Sequence, residues 1–125
     1  AKYPGREGNM YVNNPKIIRL SDVYLIAAEA AVKTGGDAAS YINTLRKNRI
    51  TGYEDVTSVT LEDILFERRV ELFAENSMAF DYWRNKMSVK NPYVGEVKYN
   101  DYRTILPIPL DELNLGDALV QNPGY

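Results

Sequence analysis

The chain has 125 residues, 45% hydrophobic and 26% charged, an ordinary globular composition with enough length for one packed core. Its net charge of −2, with both signs interspersed, offers no basic footprint for a nucleic-acid backbone or an anionic membrane surface. Histidine and cysteine are absent, which excludes Ser-His-Asp and Cys-His nucleophiles, His- or Cys-ligated zinc, iron–sulfur clusters and disulfides within this chain.

No nucleic-acid partner, cofactor, metal site or catalytic residue is therefore expected. The longest apolar stretch, Val23 to Val32, is interrupted by Glu29 and is far too short to span a bilayer. The chain begins at Ala1 with neither an initiator methionine nor a charged-then-apolar leader, so a processed protein and an excised piece both remain open.

Ala1 to Lys16 is rich in Gly, Asn and Pro and reads as a loop or extended entry segment. A first helix is predicted from Ser21, as N-cap, to Thr34, stopped by Gly35-Gly36. Its broad apolar face is assigned to Leu20, Val23, Tyr24, Ala27, Ala31 and their neighbours. Asp37 caps a second helix running from Ala38 to about Arg49, with Tyr41, Ile42 and Leu45 at helical spacing. So short a turn forces the two helices antiparallel, as an αα-hairpin.

Thr51 to Ser58 is a connector. Thr60 with Asp63 then forms a capping-box variant opening a third helix, Leu61 to about Glu75, that buries Ile64, Leu65, Leu72 and Phe73. Asn76-Ser77 breaks or bends it, and Met78 to Arg84 is helical again with Phe80 and Trp83 as apolar anchors. Lys86 to Thr104 loses helical spacing and reads as a long loop with room for a short hairpin. Two prolines one residue apart make Ile105 to Pro109 extended. Asp111 to Asn114 fits a single helical turn, and Gln121 to Tyr125 ends without regular structure, Tyr125 serving as an anchor.

Three segments, in order, resemble the SusD/RagB family. Arg19-Leu20-Ser21-Asp22-Val23-Tyr24-Leu25-Ile26-Ala27-Ala28-Glu29-Ala30, followed by Ile42-Asn43-Thr44-Leu45-Arg46-Lys47-Asn48-Arg49, is similar to that family's arginine-led helix and its partner. Glu67-Arg68-Arg69-Val70-Glu71-Leu72, running into Phe80-Asp81-Tyr82-Trp83-Arg84, resembles its ERRxEL–FD–R segment. Leu106-Pro107-Ile108-Pro109 and Gln121-Asn122-Pro123-Gly124-Tyr125 resemble its LPIP and QNPG-aromatic signatures.

The resemblance implies a mainly α fold of antiparallel, tetratricopeptide-like helical hairpins with a long irregular loop and an extended C-terminal tail. Residues 1–125 would then be the C-terminal helical region of a longer protein. It implies an outer-membrane lipoprotein facing the cell surface, held by a lipid anchor upstream of this chain. The implied partners are a SusC-type TonB-dependent transporter and an oligosaccharide or other nutrient, bound without catalysis. Glycan contacts of the family come mainly from regions upstream, which leaves this segment mainly as scaffold.

Two groups of residues carry alternative readings. Glu67 and Glu71 lie one helical turn apart, and glycoside hydrolases use two carboxylates a few ångström apart. Surrounding arginines favour a structural ion-pair network instead, comprising Arg46, Arg49, Glu67, Arg68, Glu71, Asp81 and Arg84, with Asp81 meeting Arg84 or an arginine of the second helix. Tyr93, Tyr99 and Tyr102, in the long loop, either stack on a sugar or fold back as loop anchors. The rival functions are a helical-repeat protein–protein adaptor and a carboxylate-dependent glycosidase.

Overall fold

A computed structural model describes residues 17–75, 78–115 and 118–125. The entry segment Ala1 to Lys16 and the break or bend at Asn76-Ser77 lie outside the described residues. The elements in chain order are α1 (Leu20–Thr34), α2 (Ala38–Lys47), α3 (Leu61–Glu71), α4 (Met78–Arg84), β1 (Val89–Asn91), β2 (Gly95–Val97), a 3₁₀ turn (Tyr102–Thr104) and α5 (Leu110–Leu115). The fold is mainly α, as the spacing predicts. The chain divides into two compact units, Ala1–Glu67 and Arg68–Tyr125.

In the first unit, α1 is capped by Arg19 and not by Ser21. The Arg19 carbonyl accepts from the N–H groups of Asp22 and Val23 at 3.0 and 3.2 Å, which moves the helix start forward. Ser21 is buried inside the first turn, where its hydroxyl accepts from the Arg19 guanidinium. At the other end Gly35 adopts φ 78, and the Gly36 N–H donates to the Ala31 carbonyl at 2.8 Å, closing the helix with a left-handed cap. Asp37 caps α2 as its chemistry predicts, its carboxylate accepting from the Ser40 N–H at 3.1 Å.

The core of this unit joins Leu25 and Ala28 of α1, Ala38, Ile42 and Leu45 of α2, and Ile64 of α3. The buried face of α1 is narrower than the predicted one. Leu20 is 70% exposed and Val23 46%, whereas Leu25 and Ala28 are fully covered. Helical spacing alone cannot choose between two overlapping apolar stripes, and the small Ala28 lets α2 approach closely. Tyr24 and Tyr41 meet across the two helices with ring centroids 6.3 Å apart.

The connector is tied down by one side chain. Asn43 donates to the Val56 carbonyl at 2.9 Å, while its amide oxygen accepts from the Val56 N–H and the Tyr53 hydroxyl. The capping box forms at α3, with the Asp63 carboxylate accepting from the Thr60 N–H at 2.8 Å and the Asp63 N–H donating to the Thr60 hydroxyl at 3.2 Å.

The helix α3 ends at Glu71, earlier than Glu75, because the chain turns over Leu72–Ala74 and Ala74 takes a left-handed φ of 65. That turn reverses one expectation: Phe73 is 74% exposed, although Ile64, Leu65 and Leu72 are buried as predicted. Phe80 is likewise exposed and Trp83 only part-buried, the two rings packing edge to face at 5.9 Å. The Trp83 indole N–H is buried without a partner among the described residues.

Within the second unit, the predicted loop contains an antiparallel hairpin pairing Val89 with Val97, Lys90 with Glu96 and Asn91 with Gly95. Asn91 shapes its turn by accepting from the N–H groups of Tyr93 and Val94 at 2.8 and 3.2 Å. The tail folds onto the extended proline segment. Gln121 accepts from the Ile108 N–H and donates to the Ile108 carbonyl, both at 2.9 Å, and Asn122 donates to the Leu106 carbonyl at 2.8 Å. Gly124 has φ 100, and a Cβ there would lie 2.5 Å from the Tyr102 ring, so only glycine fits.

Replacing Ile64 by alanine is expected to destabilise the fold by about 2–5 kcal/mol, because a fully buried side chain leaves a cavity. Asp37→Ala, which removes only a cap, should cost about 1 kcal/mol. Urea unfolding of the two variants against the parent checks both the sizes and their order.

Candidate functional site

Charged groups lock each unit internally. In the first, the Arg46 guanidinium donates from Nε to Glu67 Oε2 at 2.8 Å, with Nη2 also at 2.8 Å, and it lies 5.9 Å from the centre of the Tyr53 ring. Partial burial works against the Arg46 charge, but the Glu67 and Tyr53 interactions outweigh it and raise its pKa. Arg49 donates to the Asn48 carbonyl at the end of α2.

In the second unit, Asp81 stands between two arginines. Arg68 Nε donates to Asp81 Oδ2 at 2.8 Å, and Arg84 Nη2 donates to Oδ1 at 2.8 Å. Arg68 is 5% exposed and Asp81 6%, so this pair is shielded from water. Asp81 thus meets Arg84, one of the partners expected for it, together with Arg68 of α3. Glu71 is half-buried on α3.

Both oxygens of Asp81 and one of Glu67 are committed to guanidinium groups. Such carboxylates position helices. Among the described residues no cluster of three or more acids, histidines or cysteines is arranged to hold a metal ion, and no helix is long and apolar enough to cross a membrane.

The loop tyrosines occupy three different settings. Tyr93 sits at the hairpin turn and is 93% exposed. Tyr99 follows β2 in the segment leading to the 3₁₀ turn and is about half exposed. Tyr102 packs edge to face on Tyr125 with centroids 5.1 Å apart, next to Gly124, and stays about half exposed. The Tyr125 hydroxyl donates to the Ile105 carbonyl at 2.9 Å and fixes that arrangement.

Arg103 is the residue that organises this loop, and spacing arguments did not single it out. Its guanidinium donates to both Asp101 oxygens at 2.8 and 2.7 Å and to the Val94 carbonyl at 3.2 Å. Asp101 also caps the 3₁₀ turn by accepting from the Arg103 N–H at 3.0 Å. The visible signal was an Asp-x-Arg triplet after Asn100, a sequence whose acid can cap a turn and pair with its own third residue. Hydrogen bonds from the Arg103 side chain and backbone lower the Asp101 pKa to about 2.

Comparison with known proteins places this architecture. The SusD family model matches residues 1–125. The chain is 33% identical over 121 residues to the starch-binding protein SusD of Bacteroides thetaiotaomicron, covering 87% of this chain and 21% of that protein. A crystal structure of a protein from Bacteroides vulgatus ATCC 8482 is 37% identical, with a TM-score of 0.86 over 98% of this chain and 32% of the other. A SusD superfamily structure from Bacteroides thetaiotaomicron VPI-5482 gives 36% identity and a TM-score of 0.83 over 98% of this chain and 31% of the other. The chain belongs to the SusD family. It spans about a fifth of the length of the curated relative it matches.

Two outcomes are expected at these ion pairs. Asp81→Asn leaves Arg68 buried without its counter-charge and should destabilise by about 3–5 kcal/mol, read by urea unfolding at neutral pH. Asp101 has a folded pKa below its ordinary value, so its contribution is present above that ordinary value and is lost as pH falls toward about 2. Carboxyl-carbon NMR should place the Asp101 midpoint near 2, and Arg103→Gln should return it toward the ordinary carboxylate range.

Proposed function

We propose that this chain is the C-terminal helical region of a nutrient-binding protein that holds an oligosaccharide at the outer-membrane surface without transforming it. A SusC-type TonB-dependent transporter is the partner that receives the bound nutrient, and a lipid anchor upstream of this chain tethers the assembly. The observation that carries the reading is the match over nearly the whole chain to a relative named for starch binding. Family membership over residues 1–125 supports the same assignment.

The local chemistry fits a scaffold role. Glu67, which a glycosidase reading would recruit with Glu71, is engaged by Arg46, and Asp81 by Arg68 with Arg84. Oxygens held in this way stabilise helix placement and are not presented to a glycosidic bond. Tyr93, Tyr99 and Tyr102 remain the sugar-facing candidates in this segment, Tyr102 also packing on Tyr125. A protein–protein adaptor built from helical hairpins is the alternative, and it predicts capture of a polypeptide in place of a glycan.

Isothermal titration of the full-length protein against soluble oligosaccharides tests the proposal, with product analysis of the same mixtures. Saturable binding without release of new reducing ends is the expected result. Tyr93→Ala with Tyr99→Ala should leave affinity within about twofold if this segment is scaffold, whereas a loss of about tenfold or more would move the glycan site into this loop. Absence of binding to every glycan would favour the adaptor.

A further inference from the structure

The second unit contains a cavity of about 270 Å³ lined by Arg69, Met78, Tyr82, Ser88, Val89 and Lys90. Its walls come from three elements. Arg69 projects from α3, Met78 and Tyr82 lie four residues apart on one face of α4, and Ser88 to Lys90 form the start of the hairpin. Its volume lies just below the roughly 300–1,000 Å³ of small-molecule sites, with room for one sugar ring and not for a chain.

The charge of the lining is one-sided. Among the described residues it contains two cations and no carboxylate. Arg69 is one residue on from Arg68, about 100° further round the helix, and so turns away from the side that meets Asp81. None of the ion pairs among the described residues includes Arg69 or Lys90. Glu96 stands opposite Lys90 in the hairpin register, yet it neither lines the cavity nor pairs with Lys90 within ion-pair distance. Asp81, the buried acid of this unit, is already held by Arg68 and Arg84.

We infer that this cavity is a binding site for an acidic sugar unit, a single uronate ring whose carboxylate meets Arg69 and Lys90. The inference rests on the glycan-binding reading and adds to it a site inside this chain. A planar guanidinium matches a carboxylate with two parallel hydrogen bonds, and the ammonium supplies a second charge-assisted contact. The hydroxyls of Tyr82 and Ser88 are of the kind that pair with ring hydroxyls. Met78, Val89 and the Tyr82 ring give the apolar wall that a C–H face of a sugar requires. A neutral sugar of the same ring cannot make these charge-assisted contacts, which makes the site selective.

The test is titration of the full-length protein with a galacturonate trimer and with the corresponding neutral galactose trimer, alongside a panel of neutral oligosaccharides. The expected result is binding of the galacturonate trimer about tenfold or more tighter than its neutral counterpart. Arg69→Gln combined with Lys90→Gln should abolish that difference by weakening the galacturonate trimer toward its neutral counterpart. Both positions are exposed, and a circular dichroism melt verifies that the double variant folds. Equal affinity for the two trimers, or a preference that survives the double substitution, overturns the inference; binding of a neutral oligosaccharide in that case leaves the glycan reading standing. If no glycan of either kind binds, both are overturned together.

Discussion

A charge buried beside Asp81 constrains everything around it. The Arg68 guanidinium is nearly sealed from water, and an ion in that position is tolerated only when a counter-ion and further hydrogen bonds replace its hydration. Asp81 supplies the counter-ion and Arg84 completes its second oxygen. The interaction is directional, so it fixes where α4 sits along the turn that follows α3 in a way that interchangeable aliphatic contacts would not. In the first unit Leu25, Ile42, Leu45 and Ile64 close an apolar core beside the Arg46–Glu67 pair.

Much of the fold was legible because it depends on local chemistry. Asp37 and the Thr60–Asp63 box announce helix starts through hydrogen bonds that their own side chains make a few residues away. Gly35 announces a stop because it takes a left-handed conformation at low cost. The misses have the opposite character. Ser21 looks like a cap, but tertiary burial recruits it inside the helix, and Phe73 and Phe80 look like core until the turn at Ala74 decides which way each ring points. A periodicity argument has no access to a backbone reversal set by a single residue at positive φ.

The candidate site was legible only in part. The tyrosines of the loop were identifiable as rings without a helical packing role, yet nothing in their spacing distinguished Tyr102, locked on Tyr125, from Tyr93, which stands in solvent. Arg103 shows why. Its partners are Asp101 and the backbone carbonyls of Val94 and Glu96, and backbone carbonyls leave no trace in side-chain identity. The charged lining at Arg69 and Lys90 is similar, since a gap of 21 positions is bridged only by folding.

The pairing of Gln121 with Ile108 bears on how this protein behaves at high concentration. An extended segment with open N–H and C=O groups is a template on which a neighbouring molecule can lay down a strand. Between Leu106 and Leu110, prolines 107 and 109 have no N–H to offer, and the amide of Gln121 occupies both backbone groups of Ile108. With Asn122 on the Leu106 carbonyl, the stretch presents almost nothing that a foreign strand can join. A single glutamine side chain thus acts as a surrogate strand, and it protects crowded copies of the protein from zipping together along this edge.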